Sequence, residues 1–285
     1  MTTFEEQRPK LFSIAYRMVG SAMDAEDIVQ DAWLNYQRQS TAPDNPSAYL
    51  RKIVTNLSLD YLKSARVQRE QYIGEWLPEP IVTDTSSPAE ELSKAETISV
   101  AFLVILETLS PVERAVFILR EVFDYGYDDI ANILDKSEAT CRKIFSRAKQ
   151  HIQTNRPRFE TSPETHTKIV TQFRSALNTG DLSQMTTLLA DDVTLVSDGG
   201  GKVPAAIRPL QGRDIIMKFL AGLYKRANDM GVSYVIEGCI LNGEQGIIGR
   251  DTKTNTPFLA ATFEVNQSQI IAIRIVRNPE KLSHL

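Results

Sequence analysis

The sequence predicts a multidomain chain in which two all-α blocks precede an α+β block. Three observations predict it. Apolar residues recur at helical spacing through about residue 155. Proline-bearing breaks fall at about Gly74–Pro88 and Thr154–Glu164. Strand-like apolar runs dominate after Leu189. The chain's 285 residues suit two or three domains at about 100–200 residues each. A composition 42% hydrophobic and 24% charged is ordinary for a globular protein and excludes a collagen, a coiled-coil rod or a wholly disordered chain.

In the first block Leu11, Ile14, Ala15 and Met18 form one helical stripe, ended by Gly20-Ser21. Ala25, Ile28, Val29, Ala32, Trp33 and Tyr36 form a second. Asn45-Pro46 supplies a cap and a first-turn proline for a third helix with Leu50, Ile53, Val54, Leu57 and Tyr61 on one face. In the second block Ser110-Pro111-Val112-Glu113 is a capping box, leading into Val112, Ala115, Val116 and Leu119. Tyr127 to Leu134 reads as a short helix and Asp135-Lys136-Ser137 as a tight turn. Ser137 caps a last helix whose inner face is Cys141, Ile144, Phe145, Ala148 and Ile152. Short helix, tight turn and capped helix is a helix-turn-helix pattern. The third block opens with helices through Leu177 and Leu189, followed by strand runs at 193–196, 232–236, 246–249, 258–265 and 270–276. A helix from about Gly212 to Arg226 interrupts them, and Asn242-Gly243 signals a hairpin. The expected architecture is helices packed on a curved antiparallel sheet.

The formal net charge of -4 argues against coating nucleic acid by bulk electrostatics, so local basic faces carry that question. Cys141 and Cys239 form no Cys-x-x-Cys, and His151, His166 and His284 have no metal-pair spacing. No metal site, catalytic histidine or cofactor is expected. No run approaches the length of a membrane span, and Met1 to Lys10 lacks the apolar core of a secretory signal. A cytoplasmic protein without membrane contact is the expectation.

Three helices carry chemistry. On the last helix of the second block Arg142, Lys143, Ser146 and Arg147 face away from the apolar stripe, with Lys149 on the flank. Arginine pairs bidentately with guanine in a major groove, and small polar residues let the helix approach. The third helix of the first block presents Lys52, Asn56, Asp60, Lys63 and Arg66, where cations hold a phosphate backbone and an amide reads a base edge. The second helix carries Asp24, Asp27, Gln30 and Asp31, an acidic face suited to a basic protein partner.

These segments resemble a known family. Asp24-Ala-Glu-Asp-Ile-Val-Gln-Asp-Ala-Trp-Leu34 looks like the core-polymerase-binding helix of region 2 in bacterial sigma factors. Tyr49 to Arg66 looks like the -10 reading helix of that region. Leu109 to Phe117, Tyr127 to Leu134 and Ser137 to Lys149 resemble region 4, which binds the -35 element. The order of regions resembles extracytoplasmic-function (group IV) sigma factors. Asp135 stands where the family turn usually has Gly, and Asp tolerates the left-handed conformation better than most residues. The third block resembles the SnoaL-like domains of the nuclear-transport-factor-2-like cone fold, through Phe173 to Asp181, Leu188 to Val193 and Pro209 to Gly212. A subgroup of these factors carries such a domain at the C-terminus, and its motifs are here: Trp76-Leu77-Pro78-Glu79-Pro80, Asp198-Gly199-Gly200-Gly201-Lys202 and Asn278-Pro279-Glu280-Lys281-Leu282.

The resemblance implies region 2 over residues 1–73, a linker over 74–88, region 4 over 89–154 and a SnoaL-like regulatory domain over 165–285. It implies core RNA polymerase and promoter DNA as partners, with unpaired -10 bases captured near the Thr41 to Asn45 loop and Asn56. The three motifs are expected to make regulatory interdomain contacts, with Lys202 and Lys281 pairing to acidic groups of the sigma half and Leu282 packing on the linker. The rival class is an isomerase- or cyclase-type enzyme, for which Asp192 and Asp198 are the available carboxylates. A third reading makes the cone a sensor for a small-molecule ligand.

Overall fold

The computed structural model describes residues 4–39, 43–83, 98–155, 161–229, 231 and 233–285, excepting the side chains of 66–70, 155, 227 and 228. The described residues fall into two compact units. One draws on the described residues within Met1–Gln71, Leu92–Ile98 and Phe102–Arg156, and the other on those within Tyr72–Glu91, Ser99–Ala101 and Pro157–Leu285.

The N-terminal unit is helical. Its helices are α1 (Phe4–Val19), α2 (Ala22–Gln37), α3 (Pro46–Glu70), α4 (Val100–Glu107), whose first two residues belong to the other unit, and α5 (Pro111–Phe117). A π-helical turn (Ile118–Val122) then leads to α6 (Tyr127–Leu134) and α7 (Glu138–Asn155). The expected punctuation is where the helices start and stop. Gly20 has φ 74° after α1, and Ser21 accepts from the Asp24 amide at the start of α2. Asn45 accepts from the Ala48 amide at 3.0 Å. Ser110 and Glu113 close a capping box, and the Ser110 hydrogen bonds hold the Glu113 carboxyl below its ordinary pKa. Asp135 ends α6 at φ 50° and ψ 51°, the left-handed turn that a helix-turn-helix needs. The face of α3 is rotated from expectation: Leu50, Val54, Thr55, Ser58, Leu62 and Ala65 are buried, while Ile53, Leu57 and Tyr61 are partly exposed.

The two helical regions of this unit pack directly on each other. Arg114, at 3% exposure, donates to the Met18 carbonyl at 2.6 Å and pairs with Glu107 at 2.6 Å. Phe123 and Tyr125, in the loop before α6, are ringed by cations of the first region. Arg17 lies 5.3 Å from the Phe123 centroid, and Arg51 and Lys10 lie 4.9 and 5.1 Å from that of Tyr125.

The C-terminal unit is α+β. Helices α8 (Pro163–Thr179), α9 (Leu182–Leu188) and α10 (Arg213–Asp229) accompany strands β1 (Leu189–Asp198), β2 (Leu210–Gln211), β3 (Tyr234–Leu241), β4 (Glu244–Asp251), β5 (Pro257–Asn266) and β6 (Gln269–Val276), followed by α11 (Pro279–Leu282). The sheet order is β2-β1-β6-β5-β4-β3. It is mixed rather than antiparallel, because β1 pairs with β6 in parallel. Asn242 and Gly243, at φ 52° and 79°, make the two-residue turn between β3 and β4. One face of the sheet holds the core with the helices: Phe173 meets Phe263 edge-on at 5.6 Å among Val193, Leu195, Ile216 and Ile273. Asp198 lies three residues after Leu195 and so turns to the opposite face.

Candidate functional site

The three motifs converge inside the C-terminal unit. The Asp198 side chain is fully buried and each carboxylate oxygen accepts twice. Oδ1 accepts from the Tyr72 hydroxyl at 2.6 Å and the Gly200 amide at 3.0 Å. Oδ2 accepts from the Leu77 amide at 2.9 Å and Lys281 Nζ at 2.7 Å. Lys281 also donates to the Leu77 carbonyl at 2.6 Å and lies 4.0 Å from the Trp76 ring centroid. Burial, and then the Asp198 carboxylate beside it, push the Tyr72 phenol well above its ordinary pKa. Asn278 caps α11 through the Glu280 amide and donates to the Tyr72 oxygen at 3.1 Å. A Cβ on Gly200, at φ 61°, would stand 2.4 Å from Asn278 Nδ2, so that close approach requires glycine.

Linker residues Leu77, Pro78, Glu79 and Pro80 are all buried. Beyond them Val82 bridges Leu241, Thr83 donates to the Ile240 carbonyl, and Ile81 exchanges hydrogen bonds with Asn242. The segment thus extends the β3 edge. The tail grips it as well: His284 places Nε2 2.8 Å from the Pro80 carbonyl and Nδ1 3.2 Å from Glu79 Oε1. Both partners are acceptors, so both hydrogen bonds form only with the imidazolium. The Glu79 hydrogen bond raises the His284 pKa.

Two expectations are corrected here. Lys202 pairs with Glu280 and Lys281 with Asp198, both within this unit rather than with the sigma half. Lys281 has itself lost water and takes the buried carboxylate, whereas Lys202 and Glu280 pair at the surface. As for the enzyme candidates, Asp198 spends both oxygens on structure, while Asp192 is exposed. Tyr72 and His284 flank the linker and tail motifs without belonging to them, and only the fold sets Tyr72 against Asp198 and His284 against Glu79 and Pro80.

On α7, Arg142, Lys143, Ser146 and Arg147 are exposed, and a groove of about 440 Å³ runs along Thr140, Lys143, Ile144, Ser146 and Arg147. Lys149 departs from this face, pairing with Glu121 at 3.0 Å. On α3, Lys52, Asn56, Asp60 and Lys63 share one stripe. Lys52 pairs with Asp135 at 2.8 Å and Lys63 with Asp60 at 2.8 Å. The side chain of Arg66, and Thr41 of the pocket loop, lie outside the described residues. On α2, Asp27, Gln30 and Asp31 are exposed between Met23 and Leu34, two exposed apolar residues. Asp24 is instead held by the Tyr61 hydroxyl at 2.7 Å. Among the described residues no helix is long and apolar enough to cross a membrane, and no cluster has the makings of a metal site.

Comparisons with known proteins give these faces a context. Residues 3–67 match Sigma-70 region 2, and residues 99–152 match Sigma-70 region 4. The chain is 35% identical over 292 residues to the ECF RNA polymerase sigma factor SigJ of Mycobacterium tuberculosis H37Rv, covering 99% of this chain and 93% of that one. It is 32% identical over 185 residues to a probable ECF RNA polymerase sigma factor, SigI, from the same organism, covering 64% of each. The crystal structure of M. tuberculosis SigJ superposes with a TM-score of 0.77 at 32% identity, over 98% of this chain and 97% of that one. The chain belongs to the extracytoplasmic-function (ECF) RNA polymerase sigma factors.

Proposed function

We propose that this sigma factor docks on core polymerase through the exposed α2 face, reads the -35 element with α7, holds the -10 strand along α3, and is regulated by its own C-terminal unit. The observation that carries the DNA reading is α7 itself: a helix entered through a left-handed Asp135, capped by Ser137, with Arg142, Lys143, Ser146 and Arg147 outward. Lys143 and Arg147 line the groove and reach phosphates or guanine edges. On α2, Met23 and Leu34 supply apolar contact while Asp27 and Asp31 steer a basic partner.

The N-terminal unit packs its two regions closely through Arg114 and the Phe123–Tyr125 pair, so it opens to span a promoter. The chain between the regions bears on that opening, because residues 72–83 belong to the C-terminal unit through Asp198, Lys281 and the β3 edge. Holding the linker shortens the free tether, and releasing it lengthens the tether. The C-terminal unit acts as this regulator rather than as an enzyme, a reading supported by the structural use of Asp198, one of the two candidate carboxylates. Its place of work is the cytoplasm, with the polymerase.

The test is holoenzyme affinity for a promoter duplex at fixed salt. Arg147→Ala is expected to cost about 1–3 kcal/mol and to relax specificity at one -35 position. Parent-like affinity and specificity remove Arg147 as a base contact, and the same result for Arg142→Ala removes the α7 assignment as well.

A further inference from the structure

Within the second helical region an aromatic column runs from the interior to the recognition helix. Phe117, at 3% exposure, stacks on Phe145 with centroids 6.0 Å apart. Phe145 meets Tyr127 edge-on at 6.1 Å. The Arg142 guanidinium lies 4.3 Å from the Tyr127 centroid, and that of Arg120 lies 5.2 Å from the same centroid. Arg120 is fixed in turn, donating to the Tyr125 carbonyl at 2.9 Å and pairing with Asp124 at 3.2 Å. Arg142 has a second tether, Glu138 at 3.4 Å one turn earlier on α7. Its side chain nevertheless stays 60% exposed, so most of its donors remain open to a ligand.

A free arginine side chain carries about 2 kcal/mol of rotamer entropy, which a base contact must overcome. A ring held from behind by two further rings removes part of that freedom before DNA arrives. We propose that Tyr127, the first residue of α6, is a positioning residue for -35 recognition: its ring, anchored through Phe145 and Phe117, pre-sets the Arg142 guanidinium for a base edge. The proposal rests on α7 being the -35 helix. Tyr127 touches no base itself and acts through Arg142.

A double-mutant cycle separates this role from a purely structural one. Full-length Tyr127→Phe, Tyr127→Leu, Arg142→Ala and Tyr127→Leu with Arg142→Ala are each assembled with core polymerase. Each is titrated against a promoter duplex and against duplexes with single -35 base-pair substitutions, at fixed salt. Arg142→Ala is expected to lose about 5- to 150-fold of discrimination at one base pair, as for a lost bidentate contact. Tyr127→Leu, which keeps apolar volume but has no π-face, is expected to lose about 2- to 5-fold at that same base pair. Tyr127→Phe keeps the parent's discrimination. In the Arg142→Ala background, Tyr127→Leu changes nothing further. An equal Tyr127→Leu loss in both backgrounds, or one spread evenly over all positions, marks a folding defect and overturns the positioning role. If Arg142→Ala leaves discrimination intact while Arg147→Ala destroys it, the -35 reading stands and this proposal falls. If both variants behave like the parent, the -35 reading falls and takes the proposal with it.

Discussion

The outer stripe of α3 and the linker seat of the C-terminal unit treat charge in opposite ways. On α3 the ion pairs are solvated: Lys63 and Asp60 are each 70% exposed, and Asp135, the partner of Lys52, is 78% exposed, unlike the mostly buried Arg114–Glu107 pair of the same unit. In the C-terminal unit the Lys281–Asp198 pair is sealed, with Asp198 at 0% and every oxygen of its carboxylate committed. Exposed pairs contribute about 0–1 kcal/mol and exchange readily for phosphate or a partner's side chain. A buried pair adds little net stability over an apolar substitute, yet breaking it leaves an uncompensated charge. The comparison separates charges that can be lent to a partner from charges that hold the chain's own backbone.

Asp198→Asn is expected to destabilise the chain most. It leaves the Lys281 ammonium buried without its counter-charge and is expected to cost about 3–5 kcal/mol in denaturant unfolding of the full chain, with faster hydrogen exchange at the Leu77 amide. Stability equal to the parent's means that the pair holds nothing. Gly200→Ala comes next. It forces a side chain onto a left-handed residue and into Asn278, with an expected loss of about 1–3 kcal/mol. Asp27→Lys with Asp31→Lys tests the other side: thermal stability should move by no more than about 0.5 kcal/mol while affinity for core polymerase falls. A large stability loss there would show that α2's exposed charges are structural after all.

The smallest effect is a pH dependence. His284 has its pKa raised by the Glu79 hydrogen bond, so its contribution is fully present below the unfolded value of about 6.5 and is lost as pH rises through the folded value. The groups around it are Glu79, the Pro80 carbonyl and, at the chain's end, Arg250, which donates to the Leu285 oxygen and pairs with Glu237. Hydrogen exchange at the Ile81 amide should therefore speed up as pH rises through that value, beyond the intrinsic pH trend. His284→Gln should remove the excess, and an unchanged excess in that variant would assign it to another group.

What was legible in the sequence was mostly local. Ser110, Asn45, Ser137 and Asn242-Gly243 announce caps and turns because the groups they satisfy lie within four residues. Most region 2 and region 4 helices followed from periodicity, but α4 did not, the face of α3 is rotated, and Asp24 and Lys149 leave their expected outward positions for Tyr61 and Glu121. Distant partners were not legible. The parallel pairing of β1 with β6 joins strands about 80 residues apart, and β2 is two residues long with no periodicity to show. Nothing near Asp198 in sequence says that it is buried, because three of its four donors, Tyr72, Leu77 and Lys281, are distant in the chain and only the Gly200 amide is local. Lys202 and Lys281 were assigned to the wrong half for the same reason: an ion pair depends on which carboxylate the fold brings close.

Under the proposed function, this chain selects promoters for RNA polymerase through α2 and α7. Run-off transcription with purified core polymerase on a library of genomic promoter fragments, with sequencing of the transcript starts, tests it most directly. The full chain is expected to yield discrete starts sharing a -35 and a -10 element, weakened by Arg147→Ala and lost with Asp27→Lys plus Asp31→Lys. Starts no different from those of core polymerase alone, or starts indifferent to both variants, would contradict it.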